Sequence, residues 1–425
     1  MFRVVYIRGG KMTEFYDNLE IRSTEERETQ TLQKIHTVLD SAKNRTKYFS
    51  EKLEGWGVAD IKTSRDLQNL PLTRKSDLLE SQKQNPPFGN MTAVPSNKLR
   101  RIFSSPGPIY DPQGHQEDFW RFGRAMWAAG FRSGDLIHNT FSYHFTPAGF
   151  MVDSGGMKLG CPVFPAGTGQ TEMQVHTIAD LKPPCYAGTP SFLKIILEKA
   201  EELEVKLAPS LSKALVGGEA LLPAVRNLFQ DRGIETRQIY GTADLGLIAY
   251  ETDASGRMVV DEDVVVEIVQ PGTGLLVPDG EIGEVVVTLL NTTYPLIRYA
   301  TGDLSSIQTN PSGCGRTNKV ISGWKGRADQ TTKVRGMFVS PNQIATIQEK
   351  HPYIKKARLT VNHDGNQNDI MTLYCQVTRG SSINKEQITT SLRDVTKLRG
   401  DVVFLKDEES FPNDGIIIED KRKFH

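Results

Sequence analysis

The sequence lacks the features that mark several classes of protein. It has only four cysteines in 425 residues and no C-x-x-C pair, so neither a disulfide framework nor a zinc ribbon is expected. No apolar run approaches the ~18 residues that cross a bilayer, and the first eleven residues lack the apolar stretch of a signal peptide. These absences predict a cytoplasmic protein with no membrane partner.

The sequence also has no net charge. Lys and Arg together number 51, and Asp and Glu together also number 51. Without a net positive field, neither nucleic acid nor an anionic membrane surface is favoured as a partner. A small-molecule ligand is therefore expected, and a homodimer remains open as an assembly.

The length indicates more than one domain, since single cores seldom grow past about 250–300 residues. The sequence predicts an α/β fold with a large N-terminal domain, residues 12–328, and a small mobile α+β C-terminal domain, residues 329–425. The hinge between them is placed at Asp329. Residues 1–11 are expected to be an extension outside the fold, because a helix-like segment opens at Met12.

Hydrophobic patterns predict the architecture of each domain. Residues from about 100 to 290 alternate short β-branched runs with helical patterns, which is typical of mixed parallel sheets flanked by helices. From Val259 to Leu290, period-two runs broken by glycine turns predict antiparallel hairpins and a small barrel-like part. After Gly326, strand and helix patterns alternate over roughly a hundred residues, a size typical of a small domain.

Two glycine-bearing turns follow apolar strands in the large domain. LVGGEAL places Gly218 where backbone can approach a flat ligand, although a tight strand-to-helix connection explains the glycines as well. IYGTADLG offers the ring of Tyr240 and the oxygens of Thr242 and Asp244. Asp244 either holds Mg²⁺ against phosphates or caps the next helix.

Later segments carry further polar candidates. Asp303, in RYATGDL, follows a turn at the end of an apolar strand, where its carboxylate could accept two hydroxyl donors from a ribose. Arg327, Lys333 and Arg335 surround the predicted hinge and could contact phosphate. For each of these residues, a solvated position in a loop is the alternative.

The order of the segments points to a family. PLTRKSDLL, PAGTGQTE, YAGTPSFL, GGEAL, YGTADLG, RYATGDL and GRADQTTKVRGMFVSPNQI resemble successive segments of the phenylacetate–CoA ligases, which are adenylate-forming enzymes. The resemblance covers nearly the whole chain from Met12. It implies a two-step reaction: a carboxylate attacks the α-phosphate of ATP to give an acyl-adenylate, and the thiol of coenzyme A (CoA) then displaces AMP. The small domain is implied to rotate between the steps.

The resemblance also implies roles for individual residues, with ATP or AMP, Mg²⁺ and CoA as cofactors. The nucleotide-binding residues implied are Gly218, Glu219, Tyr240, Gly241, Thr242, Asp303 and Arg327. Asp244 takes the metal position, and it is grouped with Lys333 and Arg335 as catalytic; Arg335 and Gly336 are implied to face CoA. FSYHFTPAGF matches the acyl-pocket segment, and its candidate walls for an aryl or apolar acid are Phe141, Tyr143, His144 and Phe145. Ordinary core packing is the alternative for this cluster.

Three departures separate this chain from the family pattern. Ser104 and Ser105 remain of the phosphate loop, but Pro106 and Pro108 remove two backbone donors, so the loop is degenerate. Ala243 and Asp244 replace a hydroxyl residue and a glutamate, and Ile416 stands where the family has a lysine that stabilises charge during adenylation. The sequence therefore leaves open a catalytically impaired binder of adenylate or CoA ligands, or an enzyme limited to the thioester half-reaction.

Overall fold

The computed structural model describes residues 3–6, 12–105, 108–207, 209–253, 255–310, 312–328, 330–378, 383–405, 411 and 416–422. It divides the chain into two compact units, Met1–Lys325 and Gly326–His425. The hinge predicted at Asp329 lies outside the described residues. The hinge and the mobility of the small domain therefore stay predictions, and each unit is described by itself.

The elements of the larger unit follow one another in three groups. The first group comprises β1 (Arg3–Tyr6), β2 (Met12–Phe15), α1 (Thr24–Arg45), α2 (Lys47–Lys52), β3 (Thr73–Arg74), α3 (Lys75–Gln84), β4 (Arg101–Ser105) and β5 (Ile109–Gln113). The second comprises α4 (Phe122–Ala128), β6 (Ile137–Asn139), α5 (Ala148–Leu159), β7 (Val163–Pro165), α6 (Thr171–Leu181), β8 (Cys185–Gly188), α7 (Pro190–Glu202), β9 (Lys213–Val216), α8 (Pro223–Asp231) and β10 (Glu235–Thr242). The third comprises β11 (Gly246–Glu251), β12 (Met258–Val260), β13 (Val264–Val269), β14 (Gly283–Leu289), β15 (Tyr299–Ser305) and β16 (Val320–Ile321).

The helix-like segment expected to open at Met12 is wrong at its start: it begins as strand β2, which pairs with β1, and helices α1 and α2 follow it. Helix α1 begins after Ser23, whose hydroxyl accepts a hydrogen bond from the backbone N–H of Glu26, so an orphan donor of the first turn is satisfied. Its apolar face, including Ile35 and Leu39, is buried in the core. Strand β1, within the segment expected to be an extension, pairs antiparallel with β2.

An eight-stranded sheet with the order β16-β12-β11-β10-β9-β8-β6-β7 forms the centre of the larger unit. The five strands from β10 to β7 in this order pair in parallel, and helices connect them in the chain. This confirms the predicted parallel strands joined by helices. The other three strands pair antiparallel, so the sheet is mixed.

A second sheet contains four strands in the order β13-β14-β15-β3. Strands β13 and β14 pair antiparallel, as predicted for Val259 to Leu290. Beyond that region, β15 pairs antiparallel with β14, and β3 adds to β15 in parallel. Within the described residues this sheet has two open edges, so the part expected to be barrel-like is not a closed barrel. No helix among the described residues is long and apolar enough to cross a bilayer.

The smaller unit is an α+β structure with its own core. Its elements are β17 (Thr332–Val334), β18 (Met337–Val339), α9 (Pro341–Lys350), β19 (Ile354–His363), β20 (Asp369–Val377), α10 (Lys385–Thr396), β21 (Asp401–Phe404) and β22 (Ile418–Asp420). Four strands form a sheet in the order β21-β20-β19-β22, and β17 pairs with β18 in a separate hairpin. Leu359 and Leu373 of the sheet pack with Ile388 of α10 in the core.

Candidate functional site

The carboxyl ends of parallel strands carry the first group of predicted residues. Gly217 and Gly218 follow β9, next to the end of β10. A Cβ on Gly217 would lie 2.5 Å from Cγ1 of Ile239, and Gly218 has a φ of +79°, so both positions favour glycine. The carboxylate of Glu219 accepts a hydrogen bond from the backbone N–H of Ser191, at 2.7 Å, which ties this loop to the start of α7. Ligands bind at this edge in open α/β sheets.

The turn between β10 and β11 contains the second glycine motif. A Cβ on Gly241 would lie 2.5 Å from the carbonyl oxygen of Gly246, so the close approach of the two strands requires glycine. The hydroxyl of Thr242 accepts a hydrogen bond from the backbone N–H of Leu245, at 3.1 Å. Strand β11 begins at Gly246, so the alternative that Asp244 caps a following helix is wrong.

Tyr240 and Asp303 meet in a buried polar cluster that joins the two sheets. The Tyr240 hydroxyl donates to Oδ2 of Asp303 at 2.9 Å, and the indole Nε1–H of Trp324 donates to Oδ1 at 3.0 Å. The hydroxyl of Thr301 lies 3.3 Å from that of Tyr240 and donates to the carbonyl of Val285. Asp303 is only 8% exposed, and its carboxylate has room for further donors because it offers about four acceptor sites.

Asp244 lies in a second buried cluster. Its Oδ2 atom accepts a hydrogen bond from the Tyr299 hydroxyl at 3.2 Å and lies 3.9 Å from Nζ of Lys75. Asp111 of β5 is 3% exposed and Asp244 is 6% exposed. Burial raises the pKa of Asp111 well above its usual range, and the charge of Asp244 raises it further. The two side chains therefore form a buried pair of carboxyl groups that disfavours a second negative charge.

The segment expected to be the phosphate loop belongs to a β-hairpin. Strands β4 and β5 pair from Arg101 to Ser105, and the backbone N–H of Ser104 donates to the carbonyl of Phe145 at 2.9 Å. Ser105 is buried. Pro106, one of the two prolines expected to compromise the loop, lies outside the described residues.

The four candidates for the acyl pocket do not share one environment. Phe141 and Tyr143 are half-buried, and the Tyr143 hydroxyl accepts a hydrogen bond from the Asn139 side chain at 2.7 Å. His144 is exposed, and Phe145 is 80% exposed with a φ of +62°. The structure therefore packs two of the four against the body of the larger unit and leaves the other two on its surface.

The remaining candidates lie in the smaller unit. Arg335 and Gly336 form the turn between β17 and β18 with φ values of +47° and +83°, as expected for a two-residue hairpin turn. The guanidinium of Arg335 donates to the carbonyl of Asp369 at 2.7 Å. Lys333 Nζ lies 5.7 Å from the ring centroid of Phe338. Ile416 is 37% exposed, and its carbonyl accepts a hydrogen bond from Arg358. Arg327 also belongs to this unit.

Three residues of the larger unit that contact the predicted site were not singled out from the sequence: Lys75, Asp111 and Trp324. Lys75 lies in PLTRKSDLL, which resembles a family segment, and Trp324 lies two residues before GRADQTTKVRGMFVSPNQI. A cation in the first turn of a helix is unfavourable for the helix dipole, which was a usable signal for Lys75. Within the described residues, no group of three or more His, Cys, Asp or Glu could hold a metal.

Comparisons with known proteins identify the family of this chain. A family profile described as AMP-binding enzyme matches residues 122–292. The phenylacetate-coenzyme A ligase of Aromatoleum evansii is 30% identical over 384 residues, covering 86% of this chain and 85% of that protein. This chain belongs to the phenylacetate-coenzyme A ligase family. The ligase of the same name from Pseudomonas putida is 31% identical over 348 residues, covering 77% of this chain and 76% of that protein.

A solved structure supports the fold of this family member. The crystal structure of a 2-hydroxyisobutyryl-CoA ligase in complex with 2-HIB-AMP and CoA superposes with a TM-score of 0.81, covering 96% of this chain and 92% of that one. Because the identity is 22%, this likeness establishes the fold alone and not the substrate. The predicted α/β fold class is confirmed.

Proposed function

We propose that this member of the phenylacetate-coenzyme A ligase family is an ATP-dependent carboxylate–CoA ligase that acts through an acyl-adenylate. In the first step, a carboxylate attacks the α-phosphate of ATP and releases pyrophosphate. In the second, the thiol of CoA attacks the acyl carbon and releases AMP. The single observation that carries the proposal for this chain is the Tyr240–Asp303 hydrogen bond beside the glycine turns of β9 and β10.

The nucleotide is proposed to lie along the carboxyl edge of the large sheet. Gly218 and Glu219 would border the adenine, with Gly241 and Thr242 at the next turn. Asp303 would accept the ribose hydroxyls while Tyr240 and Trp324 fix the orientation of its carboxylate. Arg327 is proposed to approach the ribose or phosphate, and Ser104 and Ser105 would border the phosphates. These roles rest on the positions of the family motifs.

Asp244 is proposed to hold Mg²⁺. Its Oδ1 atom is buried and has no hydrogen-bond partner among the described residues, so it fits a role as a ligand atom. The ion would neutralise charge on the phosphates of ATP. Lys75, 3.9 Å from Asp244, supplies a second positive charge at this position.

The acid is proposed to be aryl or apolar, with Phe141 and Tyr143 as the half-buried candidates for its walls and His144 and Phe145 at its margin. Lys333 and Arg335 are proposed to act at the reaction centre, and Arg335 and Gly336 to contact CoA. We further propose that the protein is a homodimer, which sedimentation of the full chain would test, and that it is located in the cytoplasm.

ATP–pyrophosphate exchange tests the first step directly. A panel of aromatic and aliphatic acids is assayed with the wild-type chain and with Ile416→Lys. We expect exchange with at least one acid and a faster rate in Ile416→Lys, by up to about 10²–10³-fold, because a well-aimed cationic donor stabilises the charge that develops in the transition state. Exposed Ile383→Lys serves as the matched control, since it adds the same charge elsewhere in the smaller unit.

The absence of exchange in both Ile416 forms would defeat the adenylation proposal. A preformed acyl-adenylate supplied with CoA would then separate an enzyme of the second step from a binder without turnover. Formation of the CoA thioester from that adenylate supports the half-reaction. Binding of AMP without any thioester supports a non-catalytic binder.

A further inference from the structure

The cluster around Asp244 contains buried oxygen atoms without partners. Both carboxylate oxygens of Asp111, Oδ1 of Asp244 and the hydroxyl of Tyr294 are buried and have no hydrogen-bond partner among the described residues. A buried polar atom that makes no hydrogen bond costs about 1–3 kcal/mol, and more if it is charged. Four such atoms in three side chains call for a partner, such as an ordered water or a bound ion.

Three separate segments bring these oxygens together. Asp111 lies on β5, Asp244 in the turn between β10 and β11, and Tyr294 just ahead of β15. Burial raises the pKa of the Tyr294 hydroxyl, and the charges of Asp111 and Asp244 raise it further, so the three side chains lie near one another. The pairing of β4 with β5 holds Asp111 in place, because its neighbours in the strand are hydrogen-bonded to the partner strand.

The charge of the cluster favours a cation. Asp111 and Asp244 are two buried carboxylates, and the nearest cation to Asp244, Lys75, lies 3.9 Å away with a side chain that is 42% exposed. A screened lysine at that distance compensates two buried charges incompletely. A divalent ion between the carboxylates would neutralise both, whereas without it one carboxylate must take up a proton.

We propose that Asp111 and Asp244 together bind one divalent cation of the Mg²⁺ type, with Asp111 as a second carboxylate ligand. The proposal rests on the metal position of the proposed function and extends it, since no role was expected for Asp111. The donor atoms are all oxygens, which suit Mg²⁺, Ca²⁺ or Mn²⁺ rather than zinc or copper. Mg²⁺ in particular uses one or two carboxylates together with waters and substrate phosphates.

The second carboxylate also compensates for a departure of this chain from its family. Asp244 is one methylene shorter than the glutamate of the family motif, so it reaches less far towards the phosphates. Asp111 supplies charge to the same ion from the opposite segment. The ion and Lys75 together would leave the cluster positive and attractive to a phosphate, whereas a proton shared between the carboxylates would leave it neutral.

The test is binding of Mn²⁺ alone to the metal-free full chain, measured by the loss of the electron paramagnetic resonance signal of the free ion. We expect the wild type to bind one Mn²⁺ that Mg²⁺ displaces. Asp111→Asn should weaken Mn²⁺ binding at least about tenfold, since even the loss of an outer-shell partner costs about 10–100-fold. The matched control Asp180→Asn removes an exposed carboxylate from α6 and should leave the affinity unchanged.

Thermal unfolding supplies a second readout that does not depend on activity. Mg²⁺ should raise the Tm of the wild type and of Asp180→Asn, and raise that of Asp111→Asn much less. Equal Mn²⁺ affinity in the wild type and Asp111→Asn would overturn the proposal. A wild-type Tm that Mg²⁺ does not move, but that rises on mild acidification, would also overturn it in favour of a shared proton.

Binding of AMP to the same proteins, measured by calorimetry, separates this inference from the proposed function. AMP binding together with equal Mn²⁺ affinities in the wild type and Asp111→Asn overturns the role of Asp111 and leaves the ligase proposal standing. Mn²⁺ binding that depends on Asp111, together with no binding of AMP or ATP, supports the metal site and counts against the ligase proposal.

Discussion

The two buried polar clusters of the larger unit differ in how completely their atoms are paired. Around Asp303, both carboxylate oxygens accept hydrogen bonds, from Tyr240 and from Trp324. Around Asp111, both carboxylate oxygens lack a partner among the described residues. Strand β15 contributes to both environments, since Tyr299 contacts Asp244 while Thr301 and Asp303 contact Tyr240.

The difference separates a site that is already organised from one that is completed by a ligand. A paired carboxylate contributes to the stability of the protein without a ligand, because its burial is compensated by donors. An unpaired one reduces stability until a cation or a proton arrives. Mutations at matched positions in the two clusters should therefore have opposite effects on the metal-free protein.

The largest difference is expected between the two aspartates. Asp303→Ala should lower the free energy of unfolding by about 2–3 kcal/mol, because it leaves two buried donors unpaired, and should weaken AMP binding by about 10–100-fold. Asp111→Asn should leave the stability of the metal-free protein unchanged or raise it, because it removes a buried carboxyl group that folding must either protonate or leave charged out of water. Urea unfolding measures the stability of both variants, and calorimetry measures AMP binding to Asp303→Ala.

A loss of stability in Asp111→Asn as large as that in Asp303→Ala would contradict the comparison. The Asp180→Asn variant, which changes an exposed carboxylate, gives the baseline for such a substitution. Surface changes of this kind usually stay within about 0.5 kcal/mol.

A smaller difference is expected between two buried tyrosines. Tyr240→Phe removes a hydroxyl that donates to Asp303, so it should destabilise the protein by about 1 kcal/mol. Tyr294→Phe removes a hydroxyl that has no partner among the described residues, so in the absence of divalent ions it should be neutral or stabilising. The two substitutions are chemically identical, and the difference in their urea midpoints measures the pairing alone. Equal midpoints would show that the Tyr240 hydrogen bond adds nothing to stability.

The sequence was sufficient to predict the elements that contain Tyr240 and Asp303, the cluster with paired oxygens. Tyr240 and Asp303 each lie close to a glycine in an apolar segment, and this local pattern predicted them as ligand-facing residues. The structure places both inside their strands, so Asp303 does not follow a turn at the end of β15. Their meeting follows from the packing of two sheets, which the order of the family segments anticipated. Each predicted role in binding or catalysis stays a prediction until it is measured.

The second cluster could not be predicted in the same way. Asp111 lies in β5, just after the segment expected to be the phosphate loop, and it is far in sequence from Asp244. The hairpin of β4 and β5 positions Asp111, and the pairing of β3 with β15 positions Lys75 at the start of α3. Such tertiary pairings have no signature within one segment, so Lys75 and Asp111 were missed.

The smallest effect is expected at His138, whose side chain has one ring nitrogen with a hydrogen-bond partner and, within the described residues, one without. Its Nε2 atom lies 2.5 Å from Oε1 of Gln174, whereas Nδ1 is buried without a partner among the described residues. Burial lowers the pKa of His138 below its usual value of 6.5. The folded protein therefore keeps this imidazole neutral, while the unfolded chain takes up a proton as the pH falls below about 6.5.

Stability contributed by neutral His138 is thus present above that pH and is lost as the pH falls through it, by at most about 1.4 kcal/mol per pH unit. His138→Gln keeps an amide donor near Gln174 but cannot titrate, so its Tm should fall less steeply than that of the wild type on acidification. His176→Gln is the control, because that histidine is exposed on α6. If the Tm of His138→Gln falls as steeply on acidification as that of the wild type, burial of Nδ1 does not keep the imidazole of His138 neutral. In that case a buried atom without a hydrogen-bond partner is not enough to indicate a ligand.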